Sequence, residues 1–143
     1  MSIGEILGFH HVKVPVSDLA VSRAWYERVF DLEPNVEFRD NDDVVRGVAC
    51  QPKNGFTLSL RQNSMLAQAM KGFDPLAVLV AGRADIDAWV ERLDELRVDR
   101  SPVTEGALGW LIVFDDPDGI QLKLYTQDVH GFERPGRDYL GQR

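Results

Sequence analysis

The feature that most restricts what this chain can fold into is an internal repeat. KNGFTLSLRQ (53–62) and PDGIQLKLYT (117–126) each carry a polar-Gly turn and then an alternating strand. Working outward from these two hairpins, the same order of elements appears twice. In the first half, Gly8 to Val16 alternates around Val12, Val14 and Val16 and reads as a half-buried strand. A helix follows, capped by Ser17 or Asp18, with Ala20, Ala24, Trp25, Val29 and Phe30 as its apolar stripe. Strands are expected near Val36 to Arg39, Val44 to Gln51 and Phe56 to Arg61. After a helical turn or two in NSMLAQAMKG, the order resumes: a strand over Leu76 to Val80 and a helix over Ala84 to Leu96, capped by Asp85. Strands at Pro102 to Ala107, Trp110 to Phe114 and Ile120 to Thr126 complete it.

The reading is therefore α+β, with two βαβββ repeats at about 8–61 and 74–126 and an irregular tail at 127–143, in a single domain of 143 residues. Each half is too small to bury much alone, so the two must share one core. Joining their sheets edge to edge would give a curved, cupped mixed sheet with the helices on its outer face, and a ligand would sit in the cup.

Strand alternation assigns side chains to that cup. His11, Lys13 and Pro15 share one face of the first strand, Thr57, Ser59 and Arg61 one face of the fourth, and Gln121, Lys123 and Tyr125 one face of the last. Neighbouring His10 and His11 should point to opposite faces and fail to converge. Trp110 offers a surface for stacking an aromatic ligand. A buried Lys123 or Arg61 must meet an internal acid or an anionic ligand group, because an unpaired ion costs several kcal/mol to bury.

The formal net charge of −7 argues against a nucleic-acid partner, which needs a basic surface. No run of apolar residues is long enough to span a bilayer, and MSIGEILGFHHV lacks a basic leader region. Cys50, alone of its kind, reads as a buried apolar filler in a reducing compartment, so a cytoplasmic location is expected. DDPDG lacks the rest of a calcium loop and reads as a turn, and no nucleotide-binding or nucleophile-elbow motif occurs.

FHHVKVPVSDLAVSRAWYERVFDLEP resembles the opening of vicinal oxygen chelate proteins, and VFDDPDGIQLKLYT resembles their closing hairpin. With the paired βαβββ order, the resemblance spans about residues 8 to 126. This superfamily of glyoxalases, bleomycin-resistance proteins and extradiol dioxygenases contains metal-dependent enzymes and metal-free drug-sequestering proteins. Its enzymes hold a divalent ion with residues from the first, fourth, fifth and last strands. At those places this chain carries His11, Ser59, Pro75 and Lys123. Only His11 keeps a ligand: Pro75 cannot bind a metal, and an ammonium repels a divalent cation.

The resemblance thus implies a metal-independent protein that binds a small organic molecule through His11, Lys13, Ser59, Arg61, Trp110, Gln121, Lys123 and Tyr125 as a homodimer. The alternative is a metal-dependent lyase, isomerase or extradiol-type dioxygenase with a non-standard zinc, iron, nickel or manganese site. In an enzyme, His11 would be the catalytic acid or base.

Overall fold

The computed structural model describes residues 2–52 and 55–132. Its elements run β1 (Val12–Val16), α1 (Leu19–Phe30), β2 (Leu32–Arg39), β3 (Val45–Pro52) and β4 (Leu58–Gln62), then a short α2 (Ser64–Ala69). The second unit is β5 (Leu76–Val80), α3 (Arg83–Glu95), β6 (Thr104–Glu105), β7 (Trp110–Asp115) and β8 (Gln121–Thr126). The two βαβββ units expected from the repeat are both present.

Local chemistry fixes the helix ends. The Asp18 carboxylate accepts from the Val21 amide and opens α1, while Asp31, in the left-handed region at φ 54, closes it with its N–H on the Glu27 carbonyl. Leu19, Ser22, Tyr26 and Val29 recur at spacings of three and four and form its buried face. The start of α3 differs from expectation. Gly82 is the residue flanking its first turn, and Asp85 lies inside that turn, reaching back to accept from the Gly82 N–H at 3.0 Å.

Each repeat builds a four-stranded sheet, in the orders β1-β4-β3-β2 and β5-β8-β7-β6. The first strand of each unit lies parallel to the last and the other pairs are antiparallel. Among the described residues the free edges of β1 and β5 do not pair, so the chain holds two sheets instead of one continuous cup. β1 is also shorter than its alternation suggested. Residues 2–11 lie outside any strand, with Ile3, Ile6, Leu7 and Phe9 between 86% and 99% exposed.

What joins the repeats is their helix-bearing faces. Buried Val14, Leu60, Ile86, Phe114 and Leu124, from both units, belong to one apolar cluster, and Phe30 of α1 packs on Trp89 of α3 at 5.6 Å between ring centroids. Arg92 of α3 caps the end of α1, its guanidinium donating to the Val29 and Arg28 carbonyls at 2.8 and 2.7 Å. The buried Tyr26 hydroxyl of α1 donates to the Asp116 carboxylate at 2.7 Å, and the Ser17 N–H donates to Asp118 at 2.9 Å. Both acids belong to DDPDG, which is the β7–β8 turn: Asp116 Oδ1 accepts from the Asp118 and Ile120 amides. Burial pushes the Asp116 carboxyl above the usual carboxylate range, against the pull of these donors. Burial, followed by the Asp116 charge, likewise drives the Tyr26 phenol well up.

Candidate functional site

Registry decides which predicted residues meet. In the first sheet Lys13 lies opposite Ser59, Pro15 opposite Arg61, and Ser59 and Arg61 opposite Ala49 and Gly47 on β3. On β2, Val36 lies opposite Ala49 and Phe38 opposite Gly47. Alternation sends all of these to the face away from the helices, where all but Pro15 line a cleft of about 790 Å³ with His11 and Thr57 at one end. Lys13, Arg61, Val36 and Phe38 are exposed there, and Ser59, opposite Lys13 and two residues before Arg61, is buried. Four of the predicted ligand-binding residues, His11, Lys13, Ser59 and Arg61, therefore share one cavity.

His11 also borders a second cleft, of about 920 Å³, which runs along the unpaired edges of β1 and β5 past Phe9, Phe56, Pro75, Ala77 and Leu79. His10 and His11 are both exposed and do converge, contrary to expectation: their Nδ1 atoms are 2.9 Å apart, one ring donating to the other. They precede β1, so the pleat that would have sent them to opposite faces does not operate.

The corresponding face of the second sheet is different in kind. Leu111 and Val113 on β7 and Gln121 and Lys123 on β8 are buried. Lys123 Nζ meets the Asp74 carboxylate at 2.9 Å, with side chains only 11% and 12% exposed. This is the internal acid that a buried lysine requires. The sequence showed the need for an acid but not which one; Asp74 sits in the irregular segment just before β5. Tyr125 is half-buried, and its hydroxyl accepts from the Leu108 and Gly109 amides at 3.1 and 3.4 Å. A Cβ on Gly106 would collide with that hydroxyl and come within 2.9 Å of Leu111 Cδ2, so the β6–β7 loop closes tightly over the ring. Tyr125 thus organises a loop.

Trp110 lies on the opposite face from Lys123. Along β7 it shares a face with core residues Ile112 and Phe114, packs on the shared core, and meets His130 edge-on at 5.9 Å. His130 is held by the Gly106 carbonyl at 2.7 Å and accepts from the Phe132 amide. The tail beyond Phe132 lies outside the described residues.

The donor set that the resemblance implies for a metal can now be tested. Ser59 stands opposite the cationic Lys13, Pro75 has no donor side chain, and Lys123 brings an ammonium already matched by Asp74. These residues do not suit a divalent cation, which needs carboxylate, imidazole or thiolate partners. No group of three or more His, Cys, Asp or Glu side chains is placed to hold a metal among the described residues. Cys50 is fully buried, and burial pushes its thiol up, so it supplies neither a ligand nor a nucleophile.

Comparison with known proteins agrees with this architecture. The profile of the Glyoxalase/Bleomycin resistance protein/Dioxygenase superfamily matches residues 8–124. Metallothiol transferase FosB from Bacillus licheniformis is 28% identical over 133 residues, covering 90% of this chain and 81% of FosB. Among solved structures, lactoylglutathione lyase from Agrobacterium tumefaciens superposes with a TM-score of 0.70 at 16% identity, covering 90% of this chain and all (100%) of that one. TnmS3, an antibiotic binding protein from Streptomyces sp. CB03234, superposes with a TM-score of 0.66 at 23% identity, covering 88% and 98%. A profile match across most of the chain and a shared two-repeat fold make it a member of the Glyoxalase/Bleomycin resistance protein/Dioxygenase superfamily.

Proposed function

We propose that this chain binds a small organic molecule on the open face of its first sheet without using a metal ion, in the manner that the antibiotic-binding relative's name suggests for that protein. The observation that carries the reading is the Lys123–Asp74 ion pair. It fills with a neutralised ammonium a position where the superfamily's enzymes place a metal ligand. In this reading His11 contacts the ligand from the mouth of the cleft.

The unit of function is a homodimer. Two unpaired sheet edges beside a stretch of highly exposed apolar residues favour a second copy as their cover, since bare edges and apolar patches invite association. A reducing, cytoplasmic setting suits the single free, buried Cys50, and no helix among the described residues is long and apolar enough to cross a membrane.

The likeness to a metallothiol transferase favours a second reading, metal-dependent group transfer or lyase chemistry, with His11 as ligand or as acid–base group. A thermal-shift screen of small organic compounds in EDTA, followed by mass analysis of every stabilising compound after prolonged incubation, separates the two. Binding predicts stabilisation in EDTA and recovery of the compound unchanged, with His11→Ala weakening affinity. Stabilisation that appears only with added metal, or conversion of the compound that His11→Ala abolishes, would establish the enzyme instead. Light scattering checks assembly: a dimer is expected, and Phe9→Asp should shift it toward monomer.

A further inference from the structure

We infer that the cleft of the first sheet selects organic anions, with Lys13, Ser59 and Arg61 holding the charged group and Val36 and Phe38 the apolar body. This rests on the cleft being the binding site and adds the chemical class of its ligand.

Charge bookkeeping within the cleft singles these residues out. Four cationic side chains, Lys13, Arg39, Arg46 and Arg61, line the cavity. Toward the rim, Arg39 pairs with Glu37 at 3.0 Å and Arg46 with Asp40 at 2.8 Å. Lys13 and Arg61 have no ion pair or side-chain hydrogen bond among the described residues, although the chain as a whole carries a net charge of −7. They lie diagonally on neighbouring parallel strands, Lys13 opposite Ser59 and Arg61 two residues further along β4. Strand spacing and rise put their backbones roughly 8 Å apart, within which both long side chains can converge on one anion. Like charges so close repel each other, and an anion between them removes the repulsion. The guanidinium offers two parallel donors that match a carboxylate or phosphonate edge, the ammonium a third, and Ser59, opposite Lys13 on the same face, a hydroxyl.

The rest of the cleft fits an apolar body. Ala49 and Gly47 form a floor without bulk, and the side chain of Phe38 comes within 3.6 Å of where a Gly47 Cβ would stand. Val36 and Phe38 remain 44% and 51% exposed beside that floor. A ligand with an anionic head and an aromatic or alkyl body satisfies both parts at once. The second sheet offers no equivalent subsite, since Lys123 is already neutralised.

The test is titration of the intact protein at low salt with phenylphosphonate, inorganic phosphate and benzyl alcohol, followed through backbone amide shifts by NMR. Phenylphosphonate should perturb β1, β4 and Phe38 and bind more tightly than either of the other probes. Lys13→Met and Arg61→Met should each weaken it about tenfold, the loss expected for one charge-assisted contact. Arg28→Met, which removes the same charge on the outside of α1, should change it less than about twofold. Equal losses in all three variants, or none in the cleft variants, would overturn the anion subsite. So would inorganic phosphate binding as tightly as phenylphosphonate, or benzyl alcohol perturbing Val36 and Phe38 while phenylphosphonate does not. That last outcome would leave the cleft itself as the binding site, whereas silence of the cleft to all three probes would remove it too.

Discussion

Replacing Tyr26 with Phe isolates the polar contact that fastens the first repeat to the second. The ring itself would stay: it is fully buried, meets Trp25 edge-on at 4.9 Å and stacks with Phe30 at 6.1 Å, and Phe fills the same volume. Only the hydroxyl is lost, and with it the 2.7 Å hydrogen bond to Asp116 Oδ2. Asp116 keeps the Asp118 and Ile120 amides on Oδ1 but must hold its other oxygen in a buried setting without that donor. A hydrogen bond to a charged group contributes about 1.5–3 kcal/mol net, so Tyr26→Phe should cost about 2 kcal/mol and lower Tm by roughly 5–8 °C.

The pH dependence follows from the sign of the Asp116 shift. Burial raises its carboxyl above the unfolded value, so its contribution to stability is full at low pH and is lost as pH rises through the folded value. The Tyr26 bond opposes that rise, so removing it moves the folded value further up and enlarges the loss at neutral pH. Urea unfolding of wild type and variant at pH 4 and pH 8 should show a difference that grows with pH, the other carboxylates cancelling in the comparison. A difference below about 0.5 kcal/mol, or one equal at both pH values, would refute an energetic role for this contact.

Three further outcomes are expected. Lys123→Met should destabilise the fold by about 3–5 kcal/mol by leaving the Asp74 carboxylate without its ammonium, and Lys123→Met with Asp74→Asn should cost less than the two single changes summed. Urea unfolding of the cycle checks this. Cys50 should resist thiol reagents in the native state and react once urea exposes it, because burial both hides the thiol and holds it protonated. Tyr125→Phe should speed amide exchange at Leu108 and Gly109, whose N–H groups lose their acceptor, while exchange along β8 stays slow.

How much of this was legible in the sequence depended on how local each feature is. The Gly55 and Gly119 hairpin entries and the Leu76–Val80 strand could be read directly, because turn chemistry and two-residue alternation act over a few residues. Alternation also brought Lys13, Ser59 and Arg61 to one face. The same rule, carried along β7 through the core residues Ile112 and Phe114, would have removed Trp110 from the cup. The separation of the two sheets was not legible, since whether the edges of β1 and β5 pair depends on how the helix faces pack. His10 and His11 converge because β1 starts at Val12, one residue after them, and alternation says nothing about where pairing stops. Asp74 gave no periodic signal, as it lies outside any helix or strand; its role emerges only when β5 is laid parallel to β8.

The central claim, binding without a metal, is tested most directly by elemental analysis of the purified protein after incubation with zinc, iron, nickel or manganese and exhaustive dialysis. The Lys123–Asp74 pair and the His11, Ser59 and Pro75 set predict metal far below one ion per chain, unchanged in Lys123→Met. Close to one ion per chain, lost on His11→Ala, would contradict it and make this chain a metalloprotein.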